Sequence, residues 1–146
     1  MRIKALVLII LLLLTGCGTR INTCNIKTPE LEQNWKYTSK KDNLQELELD
    51  IIYDNSMFSN IDTFDSLTQK EKEVLEKEIL KKLGFNETKY KGFTIDVVIE
   101  KQIKVKVKAN YQESDKELLK KIGIDIKNSN VNNIIKDMKA NGANCK

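Results

Sequence analysis

Three cysteines carry the clearest chemistry in this sequence, and the first of them is the most sharply defined. Cys17 closes the run Leu14-Thr15-Gly16-Cys17, which follows ten uninterrupted apolar residues, Ala5 to Leu14, preceded in turn by Arg2 and Lys4. An apolar stretch of that length is too short to span a bilayer as a helix, which takes about 20 residues. It matches the core of an export signal with a basic start. A pair of small residues directly before a cysteine is the lipobox pattern of bacterial lipoproteins, in which the thiol receives a diacylglycerol and cleavage makes that cysteine the new N-terminus. Two acyl chains anchor stably where one gives only marginal, reversible binding, at about 0.8 kcal/mol per buried methylene. The expected organisation is therefore a cleaved signal peptide over residues 1–16, lipidation at Cys17, a short tether over residues 17–23 and one domain over residues 24–146.

With Cys17 committed to lipid, Cys24 and Cys145 remain, an even pair in an exported chain. A disulfide is the natural reading in an oxidising compartment. Two free thiols or a catalytic thiol pair are the alternatives, and the second of these would call for Cys-x-x-Cys spacing or an acidified thiol, neither of which is visible.

The chain has no histidine. Ser-His-Asp and Cys-His nucleophile systems, imidazole zinc sites and a histidine pH switch are thereby excluded. The six glycines form neither a Gly-Lys-Ser/Thr phosphate loop nor Gly-x-Gly-x-x-Gly. Many carboxylates are present but none forms a distinctive pair, so no catalytic residue, metal site or cofactor is expected. The 25 Lys and Arg face 21 Asp and Glu, a net +4; without Arg2 and Lys4 the balance falls to +2, which offers no concentrated basic footprint for nucleic acid. The Lys-, Ile- and Asn-rich mix with a single proline, Pro29, leans toward an AT-rich Gram-positive genome.

Two charge ladders stand out beyond the cysteines. Lys104, Lys106 and Lys108 alternate along one stretch, and Glu46, Glu48 and Asp50 along another. The lysines could grip anionic lipid or wall polymer. If the two strands are neighbours, opposite charges across them contribute about 0.2 to 1 kcal/mol per pair and leave little free field, and that self-neutralised face is the preferred reading. Trp35 and Tyr37 could line a binding groove, since aromatic anchors dominate interfaces, although packing in the core or at a sheet edge explains most of the scattered aromatics.

The elements that must position these residues follow from periodicity. Ile21 to Lys27 and Trp35 to Thr38 have strand-type residues, with Thr28-Pro29-Glu30 as a turn. Leu47, Leu49, Ile51 and Tyr53 alternate with Glu46, Glu48, Asp50 and Ile52, the period of a half-covered strand. Asn55 to Ser66 is irregular, with Met57, Phe58, Ile61 and Phe64 available to cover a core edge. Thr68 and Glu71 form a capping box for a helix running to Leu83, with Leu75, Ile79, Leu80 and Leu83 on its apolar side and Gly84 as its stop. A hairpin follows, Phe93 to Ile99 and Ile103 to Ala109, turning at Glu100-Lys101-Gln102. Ser114 and Glu117 predict a second capping box and a short helix to Gly123, and Val131, Ile134, Ile135 and Met138 a last helix ending by Gly142. The sum is an α+β domain, an antiparallel sheet of about four strands in ββαββαα order with helices on one face.

This pattern resembles the YehR-like family of small bacterial lipoproteins, a domain of unknown function. The likeness lies in the lipobox, an early strand with Thr23-Cys24, the strand Leu47 to Tyr53, the helix Thr68 to Leu83 and the hairpin Phe93 to Tyr111. It extends to Asp137-Met138-Lys139-Ala140-Asn141-Gly142 and Asn144-Cys145-Lys146, with Ala143-Asn144 standing where an aromatic residue is expected. It implies a secreted, lipid-anchored α+β domain and no site residues.

Together these readings give a non-enzymatic, membrane-proximal interaction or envelope-support module on the outer face of the cell membrane, or on an outer membrane in a Gram-negative host. Its expected partners are the membrane, through the lipid on Cys17, and a membrane-proximal protein or envelope component. The alternative is a carrier or accessory subunit for a small ligand or lipid held between sheet and helices. Cys17→Ala should convert a protein that resists carbonate extraction into one released from membranes; unchanged retention would sink the lipid anchor.

Overall fold

Alternation of apolar and polar side chains draws most of the backbone into one sheet. A computed structural model describes residues 18–54, 58, 64–124 and 129–146. Cys17, the lipobox, Met57 and Ile61 lie outside the described residues. The elements among the described residues are β1 (Thr19–Lys27), β2 (Leu31–Lys40), β3 (Asn43–Tyr53), α1 (Gln69–Lys82), β4 (Lys89–Tyr90), β5 (Phe93–Ile99), β6 (Ile103–Asn110), α2 (Lys116–Lys121), α3 (Val131–Ala140) and β7 (Asn144–Cys145), with a 3-10 turn at Phe64–Ser66. The strands form a seven-stranded sheet in the order β4-β5-β6-β3-β2-β1-β7, every neighbouring pair antiparallel.

The α+β architecture with an antiparallel sheet is as expected, but the sheet has seven strands rather than about four. Two of the additional strands, β4 and β7, are only two residues long, below the length at which periodicity can be seen. The domain also begins earlier than expected, because β1 starts at Thr19 and pairs with β2 all the way from Thr19↔Lys40 to Lys27↔Glu32. Residues assigned to a tether are thus strand, and Gly18 is the first described residue outside it.

One face of the sheet holds the core. Trp35, Tyr37, Leu47, Leu49, Phe93, Ile95, Ile103, Val105 and Val107 are buried there, together with Ile79 and Leu80 of α1, Leu118 and Leu119 of α2 and Val131 of α3. The helices accordingly pack against this face. Leu44 and Leu47 are both buried although three positions apart, which a regular strand forbids because successive side chains alternate between faces. The register shift at Thr38/Ser39, which pairs Thr38 with Glu46 and Ser39 with Leu44, leaves Gln45 as an extra residue, and such a bulge resets the alternation.

Local chemistry fixes the element ends. At α1 the capping box forms as expected, Thr68 accepting from the Glu71 amide and the Glu71 carboxylate accepting from the Thr68 amide at 2.8 Å. The Thr68 hydroxyl also donates to this carboxylate at 2.7 Å, and these two donations from Thr68, side chain first and then backbone, hold the Glu71 carboxyl below its usual range. The cap's contribution is therefore complete above the carboxylate's ordinary pKa and is lost as pH falls through the lowered one. At α2 the expected Ser114 cap gives way to Asp115, whose side chain accepts from the Glu117 amide. Ser114 instead donates its hydroxyl to the Gly92 carbonyl at 2.6 Å. Gly92 has φ +65, and a Cβ there would stand 2.7 Å from the Glu113 Cβ, so only glycine allows the β4–β5 turn to close on the segment entering α2.

The C-terminus returns to the start of the domain. Cys145 lies opposite Cys24, the two are joined by a disulfide across 121 positions of sequence, and Thr23 and Lys146 exchange both backbone hydrogen bonds, at 3.1 and 2.8 Å. In the chain-entropy model a crosslink of this span stabilises by about 5 kcal/mol, with measured values for small exported domains of about 2–5 kcal/mol. The double substitution Cys24→Ala, Cys145→Ala should lower the unfolding free energy by about 2–5 kcal/mol in urea titrations of the protein. Non-reducing mass spectrometry should show the two-dalton deficit of the bond in the parent; an unchanged urea midpoint would contradict its structural weight.

Candidate functional site

The pairing of β3 with β6 decides the fate of the two charge ladders. Glu48 lies opposite Lys108, Asp50 opposite Lys106 and Ile52 opposite Lys104, so the acidic and basic rows share the sheet face that carries no helix among the described residues. Lys104 reaches diagonally to Asp50 at 2.8 Å, and Glu48 is shared between Lys36 at 3.2 Å and Lys108 at 3.8 Å. Lys106 stands between Asp50 on β3 and Asp96 on β5. Four lysines, 36, 104, 106 and 108, thus face four carboxylates, Glu46, Glu48, Asp50 and Asp96. The neighbouring strands expected from the sequence are there, and the face is self-neutralised rather than cationic.

Trp35 and Tyr37 are not on this face. Trp35 is opposite Leu49 and Tyr37 opposite Leu47, and both rings are buried on the helix side, stacked with centroids 6.0 Å apart and planes at 7°. The sheet itself therefore separates them from Lys104, Lys106 and Lys108, and the five residues do not form one binding face. The alternation of β2 alone could not reveal this, because Trp35 and Tyr37 are in phase with the apolar positions of β3 only once the register is known. The Tyr37 hydroxyl and the Ser39 hydroxyl have no hydrogen-bond partner among the described residues. Burial pushes the Tyr37 phenol well above its usual range, so it is neutral throughout the physiological range.

Two concavities flank the sheet. On the polar face a shallow hollow of about 450 Å³ is lined by Thr23, Asn25, Asn34, Lys36, Asn144 and Lys146, among others. Its floor is ordered by the amide of Asn25, which donates to Asn34 at 2.8 Å and to Glu32 at 3.0 Å. On the helix side a cleft of about 370 Å³ opens where α1 and α2 end. Its base is Leu49, Ile95, Val105 and Val107, its walls are Leu83, Phe85 and Ile122, and its rim carries Gln33, Tyr53 and Lys121. The Trp35 indole N–H at one end donates to Gln33 at 3.2 Å, and burial raises the Tyr53 phenol. No local pattern of residues marks this cleft, since Phe85 and Lys121 are far apart in the chain and meet only in the fold.

Among the described residues no three or more acidic or thiol side chains gather as metal ligands, and no helix is long and apolar enough to cross a membrane. No protein-family model matches the chain, and no curated protein matches it. The fold is similar to a solved one, an NMR structure of a protein from Streptococcus pneumoniae TIGR4, at a TM-score of 0.54 and 16% identity over 87% of this chain and 86% of that one. At that identity the likeness speaks for the fold.

The ion pairs on the polar face are partly exposed, with Lys104 at 29% and Asp50 at 37% side-chain exposure, so each is worth little alone. A double-mutant cycle with Lys104→Gln and Asp50→Asn should return a coupling of about 0.2–1 kcal/mol that shrinks as salt is raised. A salt-independent coupling well above that range would show that the face is not solvated.

Proposed function

We propose that this protein is a lipid-anchored bacterial envelope protein of the YehR-like kind that works by binding rather than catalysis, as a membrane-proximal interaction or support module. The observation that carries the reading is the face of the seven-stranded sheet on which no helix among the described residues packs. Sheets of this width are often covered on both faces, whereas here every helix with a buried position contributes to one side, leaving the charged rows and the 450 Å³ hollow open. Such a surface suits recognition of a polar partner, because its lysines and carboxylates are already paired and offer alternating donors and acceptors. Its charge pattern favours an electrostatically mixed protein surface over a uniformly anionic polymer, since like-charge contacts penalise a mismatched partner.

Geometry supports closeness to the membrane. A lipid on Cys17 would be separated from the first residue of β1 by Gly18 alone, and the disulfide brings the C-terminus to the same edge strand. The edge of the sheet bearing β1 and β7 would then face the bilayer zone, with the hollow beside it.

A photo-reactive residue in place of Asn34, inside the hollow, should give a discrete adduct in native membranes, and the same probe in place of Glu76 on α1 should not. The Asn34 adduct should fade when Lys36→Glu reverses one charge of the hollow. Identical adduct patterns from both positions, or none from Asn34, would remove the support for this face as the working surface.

A further inference from the structure

The cleft on the helix side has no part in the polar-face reading and calls for a ligand of a different chemistry. Its shape comes from two helix ends. α1 finishes at Lys82 with its cap at Leu83, and α2 at Lys121 with its cap at Ile122, and the two helix ends leave a mouth of partly exposed apolar side chains, Leu31, Ile51, Leu83 and Ile122, over the buried floor. At about 370 Å³ it falls within the roughly 300–1,000 Å³ of small-molecule sites, which are typically apolar with a few placed polar groups. Leu83 and Ile122 are only partly buried, so apolar surface here remains in contact with water and would gain by being covered.

The rim supplies a positive charge at Lys121, the charged side chain among the described residues that line the cleft. Lys121 is held in place by donating to the Gly84 carbonyl and by lying 5.2 Å from the centre of the Phe85 ring. An ammonium group has three donors, so this contact leaves two for a ligand. We propose that the cleft binds a single-chain amphiphile with an anionic head, the aliphatic chain lying along Leu31, Ile51, Leu83 and Ile122 and the head group meeting Lys121.

The chain's one tryptophan, Trp35, lines this cleft and reports on it directly. The protein should show a saturable change in Trp35 fluorescence when titrated with laurate below its micellar concentration, with methyl NMR shifts concentrated at Ile51, Leu83 and Ile122. Lauroyl lysophosphatidate tests whether a phosphate head serves as well as a carboxylate, and dodecanol and dodecyl maltoside test the need for charge. Lys121→Glu should weaken laurate about fivefold or more, the order expected for losing one partly exposed charge contact, while leaving dodecanol unchanged. Ile122→Phe, which narrows the cleft from a partly buried position at its wall, should weaken both. The folded state of each variant is checked by its amide spectrum. Absence of saturable binding, shifts centred away from the cleft, or laurate affinity indifferent to both substitutions would overturn the proposal. Equal affinity for dodecanol and laurate would overturn its anionic head. None of these outcomes bears on the photo-adduct at Asn34, so the two readings stand or fall separately.

Discussion

Antiparallel pairing of β3 with β6 is the contact on which the rest of this structure depends. It joins the N-terminal three-stranded meander to the β5–β6 hairpin across the whole of α1, and its register, Glu48 to Lys108 and Asp50 to Lys106, settles both faces at once. A shift by a single residue would turn every side chain of β6 over, exposing Val105 and Val107 and burying three lysines. The core penalises that error through lost burial of aliphatic side chains, about 1.5–3 kcal/mol each, far more than the outer ion pairs contribute. Hydrophobic patterning therefore sets the register, and the ion pairs follow from it. Their value is that they leave the open face without a strong field of either sign.

The second constraint is closure at the edge. β1 would present unpaired backbone groups along its outer side, a liability in any sheet, and β7 covers Cys24 and Asn25 while Lys146 bonds with Thr23. Two residues could not hold that position by backbone bonds alone against the entropy of a free terminus, about 1–2 kcal/mol per fixed residue. The disulfide makes the pairing intramolecular in the strict sense. It also explains how the polar hollow exists, because Asn144 and Lys146 form one of its walls.

The two concavities then differ for a simple reason. The polar one lies on strands whose outward residues are charged or amide-bearing, so it is ordered by hydrogen bonds among Asn25, Asn34 and Glu32. The apolar one exists because two helices are capped early, at Leu83 and Ile122, and a longer α1 or α2 would have filled it.

Much of this was legible in the residues. The Thr68 capping box, the stop at Gly84, the turn at residues 100–102, the alternation in β3, β5 and β6 and the pairing of Cys24 with Cys145 all rest on local chemistry or on simple counting, and local rules hold wherever the chain's neighbours in sequence are its neighbours in space. The two-residue strands, the bulge at Gln45, the cap at Asp115 and the inward placement of Trp35 and Tyr37 do not. Each is decided by a partner distant in the chain: Ser114 leaves its capping role because the Gly92 carbonyl is within reach, and Trp35 turns inward because Leu49 lies opposite. By itself the sequence determined the ends of α1, the strand periods and the chemistry available at its three cysteines. Only the tertiary structure decided which charges would cancel, which aromatics would be buried and where an apolar cleft would remain, because those outcomes depend on registers and helix ends that meet through space.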